Sequence, residues 1–247
     1  MTHDLTGRIA VVTGAASGIG HSVAAFLATH GAQIAGVDIS PDLPSVINDL
    51  PGDGHLGIVT DIADPSAVAS TVDEIVAGAG RPHILVNCAG IGLVAPATEL
   101  PATMWQKTLD VNLAGSFFMA QAVGKVMVEA GRGRIITIAS QAADLGLAEH
   151  AAYSASKAGI LGFTRVLAVE WAAHGVTVNA VSPTIVDTDL GRAVWAGEKG
   201  ERARAEIPAG RFAAPEEVAA LVAFLAGDSA AMITGENVRV DGGRSII

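Results

Sequence analysis

Short apolar runs alternate with longer amphipathic stretches along this chain. The first run, residues 8–13, is almost continuously apolar, which is typical of a strand buried on both faces of a parallel sheet. Further strands are predicted at 33–38, 56–60, 84–87, 134–139, 176–181 and 238–240, and helices near 18–29, after Asp64-Pro65, near 101–111 and 113–130, at 151–173 and after Pro215. This alternation predicts a single-domain α/β fold of the Rossmann type, a doubly wound parallel sheet with helices on both faces.

The pattern contains neither a linker nor an internal repeat, so residues 1–247 are predicted to form one domain. Residues 184–212 interrupt the alternation with a stretch rich in charge and glycine. We expect this segment to be a substrate lid within the domain.

Composition and charge narrow the classes of function. Acidic residues outnumber basic ones 25 to 15, for a net charge of −10, which argues against nucleic acid and anionic membranes as partners. Cys88 is the only cysteine, so no internal disulfide is possible and a cytoplasmic location is expected. The first residues lack a signal-peptide pattern, and no continuous apolar run approaches the ~18 residues of a membrane span. No metal-binding spacing is visible.

A glycine-rich turn follows the first predicted strand and precedes the first helix. Glycines at such a place let the backbone approach a pyrophosphate, and the free N–H groups and dipole of the helix stabilise its charge. The alternative is an ordinary tight turn. The predicted phosphate-binding residues are Gly14, Ser17, Gly18, Ile19 and Gly20.

Acidic residues end the second and third predicted strands. Asp38 can accept hydrogen bonds from the ribose hydroxyls of NAD and would repel the 2′-phosphate of NADP, with Ile39 beside it. Asp61 could receive the adenine amino group while Ile62 packs on the ring. Because aspartate is also common in turns and caps, a purely structural role stays open for both carboxylates.

The fourth predicted strand ends in small residues, which would leave room for a cofactor. Asn87, Ala89 and Gly90 are the predicted contacts there, again with a tight turn as the alternative. Cys88 is interpreted as a buried small hydrophobic residue and not as a nucleophile.

Tyr153 and Lys157 are four residues apart at the start of a long predicted helix, so they share one face. The Lys157 ammonium would favour the ionised tyrosine and lower its pKa. Ser140 ends the fifth predicted strand, where it could hydrogen-bond a reacting oxygen beside the tyrosine. Asn112 is a poor residue for a helix interior, which indicates either a backbone irregularity holding a water near Lys157 or a helix break. An exposed Tyr–Lys pair is the bland alternative.

Taken in order, these motifs resemble the short-chain dehydrogenase/reductase family over essentially the whole chain. The resemblance implies that Tyr153 is the acid/base, that Lys157 binds the cofactor ribose and lowers the tyrosine pKa, that Ser140 orients the substrate oxygen, and that Asn112 supports a proton-relay water. It also places Pro183, Val186 and Thr188 near the nicotinamide. Thr184 departs from the usual glycine and would narrow the pocket there. Members are often homotetramers, with Phe117, Phe118 and the tail 245–247 on plausible interfaces.

A finer resemblance lies in the stretch 182–200 and in the run 207–212, which look like those of bacterial NAD-dependent polyol dehydrogenases acting on threitol- or arabitol-like substrates. Substrate choice would then rest on the lid and on residues flanking the catalytic pair, namely Ser140, Gln141, Glu149, His150, Tyr153, Thr184 and Trp195. Two other functions stay open: reduction of a 3-oxoacyl thioester, which usually draws on NADPH in this family, and a non-catalytic dinucleotide sensor.

Overall fold

The computed structural model describes residues 4–188, 191–192 and 195–247. The strands are β1 (Ile9–Thr13), β2 (Gln33–Asp38), β3 (Leu56–Val59), β4 (Ile84–Asn87), β5 (Gly133–Ile138), β6 (Val176–Pro183) and β7 (Asn237–Val240). The helices are α1 (Gly18–Thr29), α2 (Leu43–Asn48), α3 (Pro65–Gly78), α4 (Ala102–Leu109), α5 (Ser116–Ala130), α6 (Ala151–Trp171), α7 (Gly197–Ala205) and α8 (Pro215–Ala226).

The seven strands form one sheet in the order β3-β2-β1-β4-β5-β6-β7, and every neighbouring pair is parallel. The strand order reverses between β1 and β4, which leaves a crevice at the carboxyl ends of these strands. This confirms the predicted doubly wound α/β fold, and it places the ends of β1, β4, β5 and β6 along one edge.

Helices cover both faces of the sheet, so the strands are buried on both sides. On one face α1, α2 and α8 pack around residues such as Val12, Leu27 and Val222. On the other face α3, α5 and α6 pack around Val11, Met119 and other apolar side chains. Burial on both faces explains why the central strands are apolar at consecutive positions.

One helical stretch, 102–130, replaces the two separate helices expected near 101–111 and 113–130. A π-helical segment at Asp110–Gly115 joins α4 to α5, so the helix is wider over these residues but is not interrupted. By length and composition this stretch could cross a membrane, contrary to the expectation that none is apolar enough. Met119 and Met127 are fully buried in the core, as expected for a core helix.

Three further details of the helices can be compared with the sequence prediction. Asp64 caps α3 by accepting hydrogen bonds from the backbone of Ser66 and Ala67, as predicted. The short helix α2 was not predicted, because six residues containing Pro44 carry little periodicity. The expected lid, 184–212, contains α7, while 189–190 and 193–194 lie outside the described residues.

Candidate active site

The turn between β1 and α1 is shaped by close backbone approaches. A Cβ atom at Gly14 would lie 2.9 Å from Cα of Ala89, and one at Gly20 would collide with the carbonyl oxygen of Gly14. Side chains are therefore excluded at both positions. The turn is held to β2 by the Gly14 N–H, which donates to the carbonyl of Val37 at 2.8 Å.

The amino terminus of α1 has the free donors that an anion requires. Ser17 occupies the capping position, but its side chain makes no capping hydrogen bond, and the first turn carries no acidic residue. The first N–H groups of the helix are thus not satisfied by a side-chain cap. A Cβ atom at Gly18 would meet only Thr188, with Cγ2 at 3.8 Å, so this turn faces the segment that follows β6. These features fit a pyrophosphate.

Asp38 lies at the end of β2, directly beside this turn. One carboxylate oxygen accepts a hydrogen bond from the backbone of Ala16 and the other from the backbone of Ser40, both at 3.0 Å. Both hydrogen bonds fix the negative charge in place. Ile39 is 68% exposed, so its side chain is not needed in the core and could cover a bound group.

The pair that follows β3 is only partly placed as expected. Asp61 is exposed and accepts a hydrogen bond from the backbone of Ala63 at 2.9 Å. Ile62 is 4% exposed, and its side chain packs against Gly115 of the π-helical segment. The expectation that this side chain stacks on an adenine ring does not fit that packing, which leaves only the Ile62 backbone for such a contact.

The segment after β4 is tied to the glycine-rich turn. Thr13 accepts hydrogen bonds through its hydroxyl oxygen from the backbones of Cys88 and Ala89, both at 3.1 Å. The buried Asn87 donates to the carbonyl of Ser116 at 3.2 Å. Burial raises the pKa of the Cys88 thiol to about 12, which agrees with its interpretation as a non-nucleophilic residue.

Asn112 lies in the π-helical segment and is completely buried. Its amide donates to the carbonyl of Ile91 at 2.9 Å and to the hydroxyl of Ser156 at 3.2 Å, and its oxygen accepts from the Ile91 backbone at 2.7 Å. The predicted backbone irregularity is therefore present, and the helix-break alternative is wrong. Because both amide hydrogens are used, a water here would be held by the backbone or by the second lone pair of the side-chain oxygen.

Tyr153, Lys157 and Ser140 come together where β5 ends and α6 begins. The Lys157 ammonium lies 5.7 Å from the centroid of the Tyr153 ring and donates to the carbonyl of Ile138 at 2.7 Å. Ser140 accepts a hydrogen bond from the backbone of Ala142 at 3.1 Å, which leaves its O–H free to donate. The bland alternative of an exposed Tyr–Lys pair is excluded, since Lys157 is 5% exposed.

Burial dominates the electrostatics of this group. It raises the pKa of Tyr153, and a hydrogen bond with Ser140 opposes that shift. Burial also lowers the pKa of Lys157 to about 8, so the amine remains largely charged at neutral pH. The net direction for Tyr153 differs from the lowered pKa expected from the sequence, because desolvation of the phenolate outweighs the help available without a bound cofactor.

Beside this group opens a cleft of about 470 Å³, which we call the outer cleft. Five of the predicted substrate residues line it: Gln141, Glu149, His150, Thr184 and Trp195. Ser140 and Tyr153 do not line the cleft themselves but lie next to residues that do. Gln141 follows Ser140 in the chain, and the centroid of the His150 ring lies 6.1 Å from that of the Tyr153 ring. The remaining predicted residues Pro183 and Val186 are buried at and just beyond the end of β6, where Val186 bridges to Ala213.

Two residues that line the outer cleft each have a buried polar atom without a hydrogen-bond partner among the described residues. These atoms are Oε1 of Gln141, in a residue 8% exposed, and Oγ1 of Thr184, in a residue 7% exposed. A buried polar atom without a partner is costly, so such atoms indicate a missing ligand or water. The sequence named both residues but could not show that they were unpaired.

Sequence reasoning missed the charged residues that complete the outer cleft. Helix α7 contributes Glu198, Lys199 and Arg202, and Glu206 follows at its end. Arg244 reaches the cleft from the C-terminal segment and forms an ion pair with Glu206 at 2.6 Å. No local spacing links residues 38 positions apart, so only the fold reveals this pair. Within the described residues no group of three or more metal-binding side chains occurs.

Comparison with known proteins places this site in a family. A family profile described as enoyl-(acyl carrier protein) reductase matches residues 14–245. The chain is 49% identical to a D-threitol dehydrogenase of Mycolicibacterium smegmatis, covering 98% of this chain and 94% of that protein. It is 45% identical to an NAD-dependent glycerol dehydrogenase of Listeria innocua, covering 98% and 96%.

A solved structure agrees with this placement over the whole length of both chains. It is a protein of Beutenbergia cavernae described as an NAD(P)-dependent gluconate 5-dehydrogenase with NADP bound at low occupancy, with a TM-score of 0.93 at 38% identity and 100% coverage of each chain. The predicted family resemblance is confirmed, and the chain belongs to the short-chain dehydrogenase/reductase family of oxidoreductases.

Proposed function

We propose that the protein oxidises a short polyol to a ketose with NAD as the hydride acceptor. The observation that carries this proposal is the position of the Ser140–Tyr153–Lys157 group beside a cleft with two unpaired buried polar atoms. The Ser140–Tyr153–Lys157 group can transfer a proton. The unpaired polar atoms favour a substrate that has hydroxyl groups in addition to the reacting one. The similarity to threitol and glycerol dehydrogenases supports the same substrate class.

NAD fits the crevice at the carboxyl edge of the sheet. The uncapped amino terminus of α1 would hold the pyrophosphate, and Asp38 would bind the adenosine ribose and repel a 2′-phosphate. Asp61 and the Ile62 backbone would border the adenine. The remaining contacts would come from Asn87, Ala89 and Gly90 after β4 and from Pro183, Val186 and Thr188 after β6.

The chain's own residues would move the proton. The substrate hydroxyl would lie between Ser140 and Tyr153, with the Ser140 O–H donating to its oxygen and Tyr153 accepting its proton. The bound nicotinamide would accept the hydride from the same carbon. The Lys157 ammonium would stabilise the tyrosinate, and a water held by the π-helical backbone near Asn112 would relay the proton outward.

Substrate recognition would extend from the reacting carbon along the outer cleft. Gln141 and Thr184 would hydrogen-bond neighbouring hydroxyls, which satisfies their buried oxygens. Glu149, His150 and Trp195 would contact the distal end. We therefore infer that 184–212 acts as the lid, with α7 as its outer wall.

Reduction of a 3-oxoacyl thioester is the second candidate, because the matching family profile is described as a reductase of another acyl-carrier-protein substrate. That reaction usually draws on NADPH in this family, and the Asp38 carboxylate argues against NADPH. The 2′-phosphate of NADPH would meet a negative charge that two backbone hydrogen bonds hold in place. A non-catalytic sensor is disfavoured because the buried Lys157 ammonium beside the half-buried Tyr153 would be costly to retain without use.

We also propose a cytoplasmic homotetramer. Large apolar side chains remain exposed on α6, where Val169 is 82% exposed, and in the C-terminal segment, where Ile246 is 81% exposed. Phe117 and Phe118 are half-buried on α5 and form an edge-to-face pair at 6.4 Å. Light scattering of the purified protein tests the assembly, and a monomer would refute it.

The test of function is NADH formation, followed by absorbance, with NAD and NADP compared on threitol, arabitol, glycerol and a 3-hydroxyacyl thioester. We expect turnover of a polyol with NAD. Turnover of the thioester alone, or with NADP alone, would overturn the substrate or the cofactor assignment.

The variant Tyr153→Phe tests the catalytic role separately. It should lower turnover by orders of magnitude while NAD still binds, because only the phenolic oxygen is removed. Retained activity would refute the assignment.

A further inference from the structure

In the described part of the outer cleft, two of the three cations are paired with carboxylates. Among its described lining residues are three carboxylates, Glu149, Glu198 and Glu206, and three cations, Lys199, Arg202 and Arg244. Arg202 is paired with Glu198, and Arg244 with Glu206. Lys199 lies over the Trp195 ring, 4.6 Å from its centroid. The described wall is therefore balanced in charge although it is densely charged.

The Arg244–Glu206 pair is more buried than the Arg202–Glu198 pair. The Arg244 side chain is 21% exposed, whereas both partners of the Arg202–Glu198 pair are about 75% exposed and follow each other on one turn of α7. An exposed pair on one helix is weak and is readily exchanged with water. A substrate carboxylate entering the cleft would therefore find its strongest partner in Arg244, since that guanidinium is the least hydrated of the cations present.

We propose that Glu206 is a specificity-determining residue that excludes anionic substrates by occupying Arg244. This inference rests on the proposed function and sharpens its substrate class to neutral polyhydroxyl compounds as opposed to sugar acids. An aldonate would have to displace the Glu206 carboxylate from Arg244 and then remain beside it, with two like charges close together. A neutral polyol meets no such repulsion, because it can donate to Glu206 while the ion pair stays intact.

The anchoring of Glu206 supports a fixed role. Its backbone ends α7 by donating to the carbonyl of Arg202 at 3.2 Å, and the chain then turns through Ile207, which is 3% exposed. On the other side, the Ala209 N–H donates to the carbonyl of Gly242 at 3.0 Å, two residues before Arg244. This hydrogen bond joins the lid to the C-terminal segment next to the ion pair, which keeps the two charged side chains close together.

The test compares Glu206→Gln with Glu201→Gln, a matched control on α7. Glu201 is exposed and does not line the cleft, so both variants remove one negative charge but only the first releases Arg244. We expect wild-type protein to favour threitol over D-gluconate in kcat/KM with NAD. Glu206→Gln should shift this ratio toward D-gluconate by about tenfold or more, the value of one charge-assisted hydrogen bond. Glu201→Gln should leave the ratio unchanged, and adding Arg244→Gln to Glu206→Gln should abolish the gain.

Binding provides a readout that does not depend on turnover. Calorimetric titration of D-gluconate and of threitol into the complex with NADH should show the same preference and the same shift, even if neither compound is oxidised. Failure of the proposed function would appear as absent polyol oxidation, whereas failure of this inference would appear in binding. Wild-type protein that binds D-gluconate as tightly as threitol, or a Glu206→Gln ratio equal to that of Glu201→Gln, would overturn it. If Glu206→Gln does not fold, Glu206→Ala, which also releases Arg244, gives the same comparison, and an unchanged preference in that variant would overturn the inference.

Discussion

Replacing Lys157 with methionine should move the pH dependence of alcohol oxidation upward by about two pH units. The Lys157 ammonium lies 5.7 Å from the centroid of the Tyr153 ring. With the phenolate charge placed at the ring centroid, opposite unit charges at this distance attract by about 3 kcal/mol for an effective dielectric constant of about 20. Because one pKa unit corresponds to about 1.4 kcal/mol, loss of the ammonium should raise the pKa of Tyr153 by about two units.

The sign follows from the role of the tyrosine. Oxidation requires deprotonated Tyr153, so kcat/KM rises with pH as Tyr153 ionises, and a higher pKa moves this rising limb to higher pH. Burial already raises the pKa of Tyr153, which makes the contribution of the ammonium more important. The pKa of Lys157 is about 8, so its ammonium acts on Tyr153 where the positive charge of bound NAD brings ionisation of the tyrosine below that pH. The difference between wild type and variant should therefore be largest below pH 8.

The assay is NADH formation across a pH series at saturating NAD, for wild type, Lys157→Met and Lys157→Arg. The arginine variant keeps the positive charge at every pH and should keep the rising limb near its wild-type position. Saturating NAD separates this effect from weaker cofactor binding, which would lower affinity without moving the limb. A Lys157→Met profile that falls in amplitude but keeps its wild-type position would refute the electrostatic role.

Four further changes test other parts of the structure. Asp38→Asn should narrow the preference for NAD over NADP, because the side-chain oxygen that accepts from Ala16 can remain while the charge is lost; an unchanged ratio of kcat/KM values would contradict the assigned role. Gly20→Ala should cost about 2–4 kcal/mol in urea unfolding, because its Cβ would collide with the Gly14 carbonyl, whereas Gly162→Ala on an open face of α6 should be neutral or slightly stabilising. Asp228→Asn should cost about 1 kcal/mol at most, because three arginines converge on this carboxylate although it is 67% exposed, and the loss should shrink in high salt. Native protein should resist alkylation of Cys88 at pH 8, since its thiol pKa is about 12, and rapid labelling would refute that burial.

The sequence predicted the α/β fold because its dominant signals are local. Strands buried on both faces read as continuous apolar runs, and Asp64 followed by Pro65 marks a helix start that the structure confirms. Tyr153 and Lys157 share a helical face by spacing alone. The short helix α2 and the continuity of 102–130 escaped prediction because the first has too few residues for periodicity and the second depends on a π-helical segment, which no simple repeat encodes.

What the sequence could not supply was long-range pairing. Ile62 was expected on an adenine ring, but the absence of a side chain at Gly115, more than fifty residues away, opens a space that Ile62 fills. The burial that raises the pKa of Tyr153 in the absence of cofactor could not be predicted for a related reason, since the depth of burial is set by the whole fold while the nearby lysine is visible in the sequence. Arg244 and Glu206 meet only because the lid returns to the C-terminal segment.

Asp38 shows how cofactor choice and cofactor binding are linked in one structural unit. Its carboxylate supports the turn that would receive the pyrophosphate, through the hydrogen bond from Ala16, and also carries the charge that would repel a 2′-phosphate. Alanine at this position removes both the support and the charge, so Asp38→Ala should weaken NAD as well as admit NADP. Asparagine separates the two effects, since it can keep the acceptor for Ala16. A change of cofactor preference in this protein therefore requires a replacement that still accepts from Ala16, and a basic residue alone would gain a phosphate partner while loosening the turn.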